Sequence, residues 1–258
     1  MRITKLFQNR TKLSQLTGIK IVFSIPIAVL FSISPEAHDI LEIQAELGRD
    51  SKTGFVHGHA EGVILAKPET VYQVLSVAIH GKLSKRTKVC LAFPKEKAEG
   101  YLTRPVEERL GIRGKASDAL KKEVLENAGG ELTEGVVPRI DVMYTYRFME
   151  MPPFVPNQWF VTRETHDASK AAEGIFSIRM EAILGNIKHY DSRWIVTPLE
   201  GGSKTKVQMI NDTDTGFSGP EFLLKLGKSE LRHAVEQVRK LVAESASTPT
   251  AQSTPTEK

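Results

Sequence analysis

The sequence has only one cysteine, Cys90, among its 258 residues. No disulfide can form within the chain, so a packed hydrophobic core must stabilise the fold. The uncharged apolar segments are too short for a membrane-spanning helix, which needs about 20 such residues. The glycine-rich segments lack the strand–loop–helix context of a nucleotide site, and no serine stands in a nucleophile motif. These absences argue against a disulfide scaffold and the common nucleotide-binding folds.

The N-terminal region combines a basic leader with a short apolar segment. Residues 1–20 carry five lysines and arginines and no acid, and residues 21–34 are uncharged and mostly apolar. This layout is typical of a secretory signal peptide, which we place over residues 1–37. We therefore expect a periplasmic or secreted protein. An uncleaved anchor in the inner membrane is the alternative, because Pro35 suits a cleavage site poorly.

The formal net charge of +4 belongs to this leader and not to the rest of the chain. Residues 1–37 hold five of the 35 basic residues and one of the 31 acidic residues, which leaves 30 of each elsewhere. We therefore infer no nucleic-acid partner. Residues 245–258 are rich in serine, threonine and proline and are predicted to be a disordered tail. Residues 38–244 should form one folded domain of ordinary size.

A long amphipathic helix is predicted near the C-terminus, from Pro220 to Glu244. It follows a glycine, and proline suits the first turn of a helix. Its apolar residues recur at steps of mostly three and four, the period of a helix with one buried face. They are Leu223, Leu224, Leu231, Ala234, Val235, Val238, Leu241 and Val242. Such a helix needs a large apolar surface to cover.

Alternating apolar and polar residues predict a series of strands that could supply this surface. The segments are 55–65, 89–93, 139–149, 158–164, 173–184, 188–198 and 204–211. Helices are predicted after Pro68, over 117–128, and as a short segment within 38–52. The charged region 94–138 is interpreted as an insertion that could act as a lid. Short polar turns imply an antiparallel meander, so we predict an α+β fold in which a curved antiparallel sheet wraps around the C-terminal helix.

Three motifs resemble those of the helix-grip proteins. Ala66–Leu75 (AKPETVYQVL) resembles their opening helix motif of alanine, proline, valine, tyrosine and leucine. Trp194–Pro198, followed by Gly201–Val207, resembles the penultimate hairpin. Asp214–Pro220 resembles the last loop before a long helix. In this order the motifs resemble a START-like lipid-binding domain of the Bet v 1/polyketide-cyclase superfamily.

The resemblance extends over about residues 55–80 and 139–243 and leaves the region between them unmatched. At Asn157–Phe160 the chain lacks the arginine–aspartate pair that START domains often carry after a proline-rich turn. The match to the wider superfamily is therefore closer than the match to START domains proper.

The resemblance implies a deep apolar cavity for a lipid, sterol or polyketide-like molecule, with no metal or other cofactor. We also expect transient membrane contact. Tyr144 and Tyr146 could each direct a hydroxyl at a polar group of the ligand. The candidate ligand-binding residues are Val142, Tyr144, Tyr146, Phe176, Ile178, Met180, Val207, Met209, Leu224 and Leu231. For each of them, a role in a solid core is the alternative.

Polar residues on the predicted strands leave several alternatives open. His57, His59 and Glu61 would share one strand face and could bind zinc, but without a fourth ligand a hydrated face is preferred. His166 and Asp167 are placed in an exposed turn. Most charged strand residues should form cross-strand pairs on the convex face, although one inside the cavity could anchor a ligand head group. They are Arg139, Asp141, Arg147, Arg163, Glu164, Arg179 and Glu181.

Three functions follow from this interpretation. The leading hypothesis is a non-enzymatic binder or carrier of a hydrophobic molecule in the cell envelope. An enzyme of the cyclase/aromatase or hydrolase kind on the same scaffold is the alternative, and it requires an acid or base inside the cavity. An interaction module with a filled core is the third.

Overall fold

The computed structural model describes residues 42–132, 142–153, 155–216 and 222–247. Within these ranges, eight antiparallel strands form one curved sheet. The strands are β1 (Gln44–Arg49), β2 (Val56–Ile64), β3 (Thr87–Ala92), β4 (Val142–Met149), β5 (Gln158–Asp167), β6 (Phe176–Gly185), β7 (His189–Leu199) and β8 (Lys204–Asp214). Their order across the sheet is β1-β2-β8-β7-β6-β5-β4-β3. The predicted antiparallel meander is confirmed, because β4 to β8 lie side by side in chain order.

The described part of the chain contains five α-helices. They are α1 (Pro68–Ala78), α2 (Lys95–Leu102), α3 (Val106–Arg109), α4 (Gly114–Asn127) and α5 (Phe222–Ser247). Helix α1 begins as predicted, with a proline in its first turn and Glu69 near the positive end of the helix dipole. Short 3₁₀ turns at Ala171–Glu173 and Glu200–Gly202 join successive strands.

Helix α5 packs its apolar stripe onto β1, β2 and α1, and this contact forms the main core. Val235 and Val238 are completely buried there. Two glycines of β2 allow the helix to approach closely. A Cβ atom at Gly58 would lie 2.7 Å from Leu231 Cδ1, and one at Gly62 would lie 3.1 Å from Val235 Cγ1. The α+β helix-grip arrangement predicted from the sequence is therefore confirmed.

Residues 44–49 form strand β1, so the helix predicted within 38–52 is wrong for this segment. Ile43 and Ala45 are buried, whereas Gln44 and Glu46 are exposed, which is the period of a strand. The apolar residues at positions 43, 45 and 47 alternate as in a strand, although five apolar residues within positions 40–47 also suggested a short helix. Pairing with β2 decides between the two.

Two strands also extend beyond their predicted ends. Strand β5 continues to Asp167, two residues into the segment 166–172 predicted as a turn, because it pairs with β6 as far as Ser177. Strand β8 continues to Asp214, through part of the predicted loop, because it pairs with β7 as far as His189. Both extensions are polar in sequence, and the neighbouring strand supplies the hydrogen bonds that hold them extended.

The insertion after β3 covers the convex face of the sheet. Phe93, Ala98 and Val124 of this region form a second hydrophobic core with Tyr146 and Trp159. This core lies on the face opposite to α5, and the described part of the insertion, residues 94–132, contributes no residue to the wall of the space beneath that helix.

Several sequence predictions concern residues outside the described ranges. These are the signal peptide over 1–37, Arg139 and Asp141, the helix start at Pro220, and most of the C-terminal tail. Among the residues that the structure does describe, no helix is both long and apolar enough to cross a membrane.

Candidate functional site

A cavity of about 300 Å³ lies between the concave face of the sheet and the N-terminal half of α5. It forms because α5 packs closely on β1 and β2, whereas the strands farther along the curved sheet diverge from the helix. Apolar side chains make up most of its wall. They include Leu47, Val56, Ile79, Leu83, Met149, Phe160, Met180, Ile187, Trp194, Met209, Leu223, Leu224, Leu231 and Ala234.

Four of the ten candidate ligand-binding residues lie in the wall of this cavity. They are Met180, Met209, Leu224 and Leu231. Three others belong to the packed core beyond it, where α1 and α5 meet the sheet. They are Phe176, Ile178 and Val207. Whether the first four contact a ligand stays a prediction.

The remaining three candidates, Val142, Tyr144 and Tyr146, lie on the convex face. Their assignment to the cavity is corrected, because the insertion covers this face of β4. Tyr144 and Tyr146 are nearly inaccessible there, at 5% and 1% exposure. Apolar alternation correctly indicates a buried face, but this face is buried by α2 and α4 and not by a ligand.

Arg147 is the most buried of the charged residues that line the cavity. It alternates with Tyr146 on β4 and therefore points to the concave side, where it is only 5% exposed. Its Nη1 donates to the carbonyl oxygen of Ile79 at 2.8 Å, and its Nε donates to Thr145 Oγ1 at 3.2 Å. Its Nη2 donates to Glu164 Oε2 at 3.5 Å. These three bonds leave two of its five N–H groups without an acceptor among the described residues.

Glu164 forms the centre of a buried polar cluster behind Arg147. The carboxylate is completely buried, and its Oε1 lies 2.7 Å from His166 Nε2 and 3.1 Å from His80 Nε2. His166 Nδ1 in turn lies 3.0 Å from the Tyr72 hydroxyl. Arg147 and Glu164 are therefore exceptions to the expectation that most charged strand residues lie on the convex face, and the prediction that His166 is exposed is wrong. Glu164 and His166 both lie on the concave side because β5 continues through His166 and alternate residues of a strand face the same side.

The cluster keeps Glu164 ionised although the side chain is completely buried. Burial alone would raise the pKa of Glu164, but hydrogen bonds from His166 and His80, with the charge of Arg147, outweigh burial and lower it to about 2. Burial alone would likewise lower the pKa of Arg147, but Cys90 and Glu164 raise it overall. The two charges therefore persist side by side across the neutral pH range.

The sequence contains a signal for this cluster. Thr145 and Arg147 form a polar stripe on β4, and Thr162, Glu164 and His166 form another on β5. Thr145 Oγ1 and Thr162 Oγ1 join the two stripes at 2.6 Å. The apolar residues of the insertion required a surface to pack on, and the Tyr144 face of β4 was the available one. Placing the insertion there would have turned both polar stripes toward the cavity.

The histidines of β2 lie on the sheet surface, as expected. His57 Nδ1 is 2.7 Å from Asp212 Oδ1, and His59 Nε2 is 3.5 Å from Glu61 Oε2, with both imidazoles about half exposed. Within the described ranges, no group of three or more His, Cys, Asp or Glu side chains is arranged to hold a metal ion.

A scan against models of protein families finds no match, and a search of curated proteins finds none. Solved structures do match in fold. Human StAR-related lipid transfer protein 5 is 10% identical with a TM-score of 0.51, and the match covers 79% of this chain and 83% of that protein. A STAR-related lipid transfer protein from Xanthomonas axonopodis is 15% identical with a TM-score of 0.49, covering 78% and 93% respectively. The Zhui aromatase/cyclase from Streptomyces is 10% identical with a TM-score of 0.41, covering 74% and 93%.

This chain therefore has a START-like fold, as its motifs suggested. Identities this low show the fold alone and leave the ligand and the activity to be argued from the site.

Proposed function

We propose that the protein reversibly binds a small hydrophobic molecule in the cavity under α5 and carries it without changing it chemically. The observation that supports this most directly is an apolar cavity with the buried guanidinium of Arg147 in its wall, where Arg49 and Arg86 are the other two arginines and are less buried. Small-molecule sites are typically concave and mostly apolar, with a few polar groups that orient the ligand. The cavity also argues against the alternative of an interaction module with a filled core.

The volume of the cavity limits the size of the ligand. About 300 Å³ lies at the lower end of the range for small-molecule sites, which is roughly 300–1,000 Å³. A single aliphatic chain or a compact ring system fits this space better than a lipid with two acyl chains, unless the loops around the cavity move apart.

The charge balance of the cluster favours a ligand with a neutral oxygen. Glu164 already compensates the positive charge of Arg147, so a buried carboxylate would add an unpaired negative charge. A hydroxyl or carbonyl oxygen can accept from the remaining N–H groups of Arg147 without that cost. We therefore infer a long-chain alcohol, ester, ketone or sterol-like molecule in preference to a fatty acid.

The fold supports this proposal independently of the cavity. The solved structure that matches with a TM-score of 0.51 is named for lipid transfer, and this chain covers 83% of it. The fold is therefore compatible with an internal lipid site.

The enzymatic alternative is less well supported by the titratable groups. Among the described residues, Arg147, Tyr190, Asp214 and Glu230 are titratable groups of the cavity wall, and Glu164, His80 and His166 do not line it. Burial raises the pKa of Tyr190, and the pKa of Arg147 is raised as well, so neither group releases a proton near neutral pH. Neither can act as the general base that such an enzyme requires. The two carboxylates of the wall are already engaged, Glu230 with Arg86 at 3.5 Å and Asp214 with the backbone N–H of Gly216 at 2.6 Å.

The proposal is tested by displacement of a dansyl-labelled fatty alcohol from delipidated protein. We expect saturable binding, with dodecanol displacing the probe more effectively than dodecanoate at pH 7. Met209→Trp should fill the cavity and abolish binding, whereas Met209→Leu, which keeps the volume, should retain it. Arg147→Met should weaken dodecanol about tenfold, the equivalent of one hydrogen bond. No saturable binding, or equal binding by the Trp variant, would contradict the proposal.

We also propose that the protein functions in the cell envelope, on the basis of the basic and apolar N-terminal segments. Fractionation of expressing bacterial cells and N-terminal sequencing of the product test this. A cytosolic product that retains Met1–Lys20 would contradict it.

A further inference from the structure

The wall of the cavity contains buried polar atoms that other residues leave unpaired. Four such atoms belong to side chains of the wall and have no hydrogen-bond partner among the described residues. They are Gln158 Oε1, Trp194 Nε1, Asn211 Oδ1 and Glu230 Oε2. Three of the four are acceptors, the oxygens of two amides and of a carboxylate. Because an unpaired buried acceptor is costly, the wall favours a ligand that brings a hydrogen-bond donor.

The amide of Gln158 has a defined orientation. The residue begins β5, is only 1% exposed and lines the cavity. Its Nε2 donates to the carbonyl oxygen of Pro156 at 2.8 Å, and a carbonyl oxygen can only accept. The free atom of this amide is therefore the acceptor Oε1. Asn211 lacks such a constraint, since its Nδ2 bonds to the hydroxyl of Thr213, which can also donate.

Gln158 and Arg147 are neighbours on the concave face of the sheet. Arg147 pairs with Phe160 and Gln158 pairs with Met149, so the two side chains occupy diagonal positions of β4 and β5. Diagonal neighbours lie about 7–8 Å apart, within reach of long side chains. All four residues line the cavity. One end of the cavity therefore offers two free N–H groups of Arg147 and one free acceptor, beside the apolar side chains of Met149 and Phe160.

We propose that Gln158 and Arg147 form a subsite for a hydroxyl group of the ligand, and that Gln158 selects a hydroxyl over a carbonyl. A hydroxyl oxygen can accept from Arg147 while its own hydrogen is donated to Gln158 Oε1. A ketone or ester offers only acceptors, so it would leave Oε1 unpaired or place two acceptors side by side. The apolar part of the ligand would extend toward Met180 and Met209.

This inference rests on the proposed function and narrows its ligand class, from which it removes the ketones and esters. Gln158 belongs to Asn157–Phe160, the segment in which the chain lacks the arginine–aspartate pair that START domains often carry. The free acceptor is therefore supplied by a residue of this chain at a position where its sequence departs from that pattern.

Two ligands of equal size test the proposal by displacement of the dansyl-labelled fatty alcohol. 2-Dodecanol and 2-dodecanone have the same number of carbon and oxygen atoms, and only the alcohol can donate. We expect wild-type protein to bind the alcohol about tenfold more tightly, the equivalent of one hydrogen bond. This comparison needs no variant, so it is independent of any effect of a substitution on folding. Equal affinity for the two ligands would overturn the proposal.

Gln158→Met tests the residue itself. Methionine keeps most of the length of the side chain and removes the amide, so the preference for the alcohol should fall below about twofold. Gln208→Met is the matched control, because Gln208 also donates through Nε2, to Glu61 at 3.0 Å, but does not line the cavity. The control should keep the wild-type preference. A preference that persists in Gln158→Met, or that disappears in both variants, would overturn the assignment to Gln158.

The same assay separates this inference from the proposed function. Comparing two ligands in one protein cancels any change in the affinity of the probe. Saturable probe binding without a preference for the alcohol would contradict the hydroxyl subsite and leave the proposed function intact. Absence of saturable probe binding would contradict both, because the subsite requires a cavity that takes up a ligand.

Discussion

The two faces of β4 and β5 are both buried, but they are buried in different ways. On the convex face, Tyr144, Tyr146 and Trp159 pack against the insertion in an apolar core. On the concave face, Arg147 and Glu164 form an ion pair beside the cavity. The buried side chains of the convex face are mostly apolar, whereas those of the concave face include charges that pair with each other.

The difference shows that burial and ligand contact are separate properties of a strand. The apolar stripe of β4 stabilises the fold and never reaches the cavity. Burying the polar stripe costs more free energy. It lies beside the cavity, where a ligand could accept from the two N–H groups of Arg147 that have no acceptor among the described residues. The four predictions below would sharpen or break this distinction.

Glu164→Gln should have the largest effect, because it leaves Arg147 buried without a compensating charge. We expect unfolding free energy to fall by about 3–5 kcal/mol, measured by urea denaturation at pH 7. The exposed Glu181→Gln on β6 is the control and should change stability by less than about 1 kcal/mol. Adding Arg147→Met to Glu164→Gln should restore part of the loss, since both charges are then removed. A loss below about 1 kcal/mol in Glu164→Gln would contradict the role of the pair.

The free energy of unfolding should also depend on pH, because Glu164 on the concave face has a lowered pKa. The pKa of Glu164 is about 2 in the folded protein, against an ordinary value near 4.3 in the unfolded chain. Because the folded value is the lower one, the stabilisation is complete above the unfolded pKa and is lost as pH falls toward 2. The loss should approach about 3 kcal/mol at most. Urea denaturation between pH 6 and pH 2.5 measures it, and Glu164→Gln should show a flatter profile over that range.

Trp159→Phe should have a smaller effect on the convex face. The indole Nε1 donates to Ser117 Oγ of α4 at 3.0 Å, and both groups are buried. Loss of this bond and of part of the ring should cost about 2 kcal/mol by urea denaturation. Affinity for the dansyl-labelled probe should stay within twofold of wild type. A large loss of probe binding would show that the two faces are coupled.

Tyr146→Phe should have the smallest effect. Burial raises the pKa of Tyr146 to about 12, but no hydrogen bond of its hydroxyl appears in the described part of the structure. We expect a change in unfolding free energy below about 0.5 kcal/mol and an unchanged probe affinity. A marked loss of affinity would instead support the original prediction that this hydroxyl contacts the ligand.

The sequence predicted the fold better than the site because the two depend on different information. The period of α5, the proline at the start of α1 and the short turns between strands are local, and each predicts its own element. The alternation of β4 is also local, and it correctly predicts that Tyr144 and Tyr146 share one buried face. Which side of the sheet that face occupies depends on where residues 94–132 pack, and no local pattern states this.

The sequence by itself determined that a long amphipathic helix must cover an antiparallel sheet, because the spacing of apolar residues within each segment predicts that segment's structure. Only the tertiary structure decided that Arg147, Glu164, His80 and His166 meet, because they come from three separate segments. Burial of these charges is strongly destabilising unless they pair with one another, and only the folded chain brings the partners together.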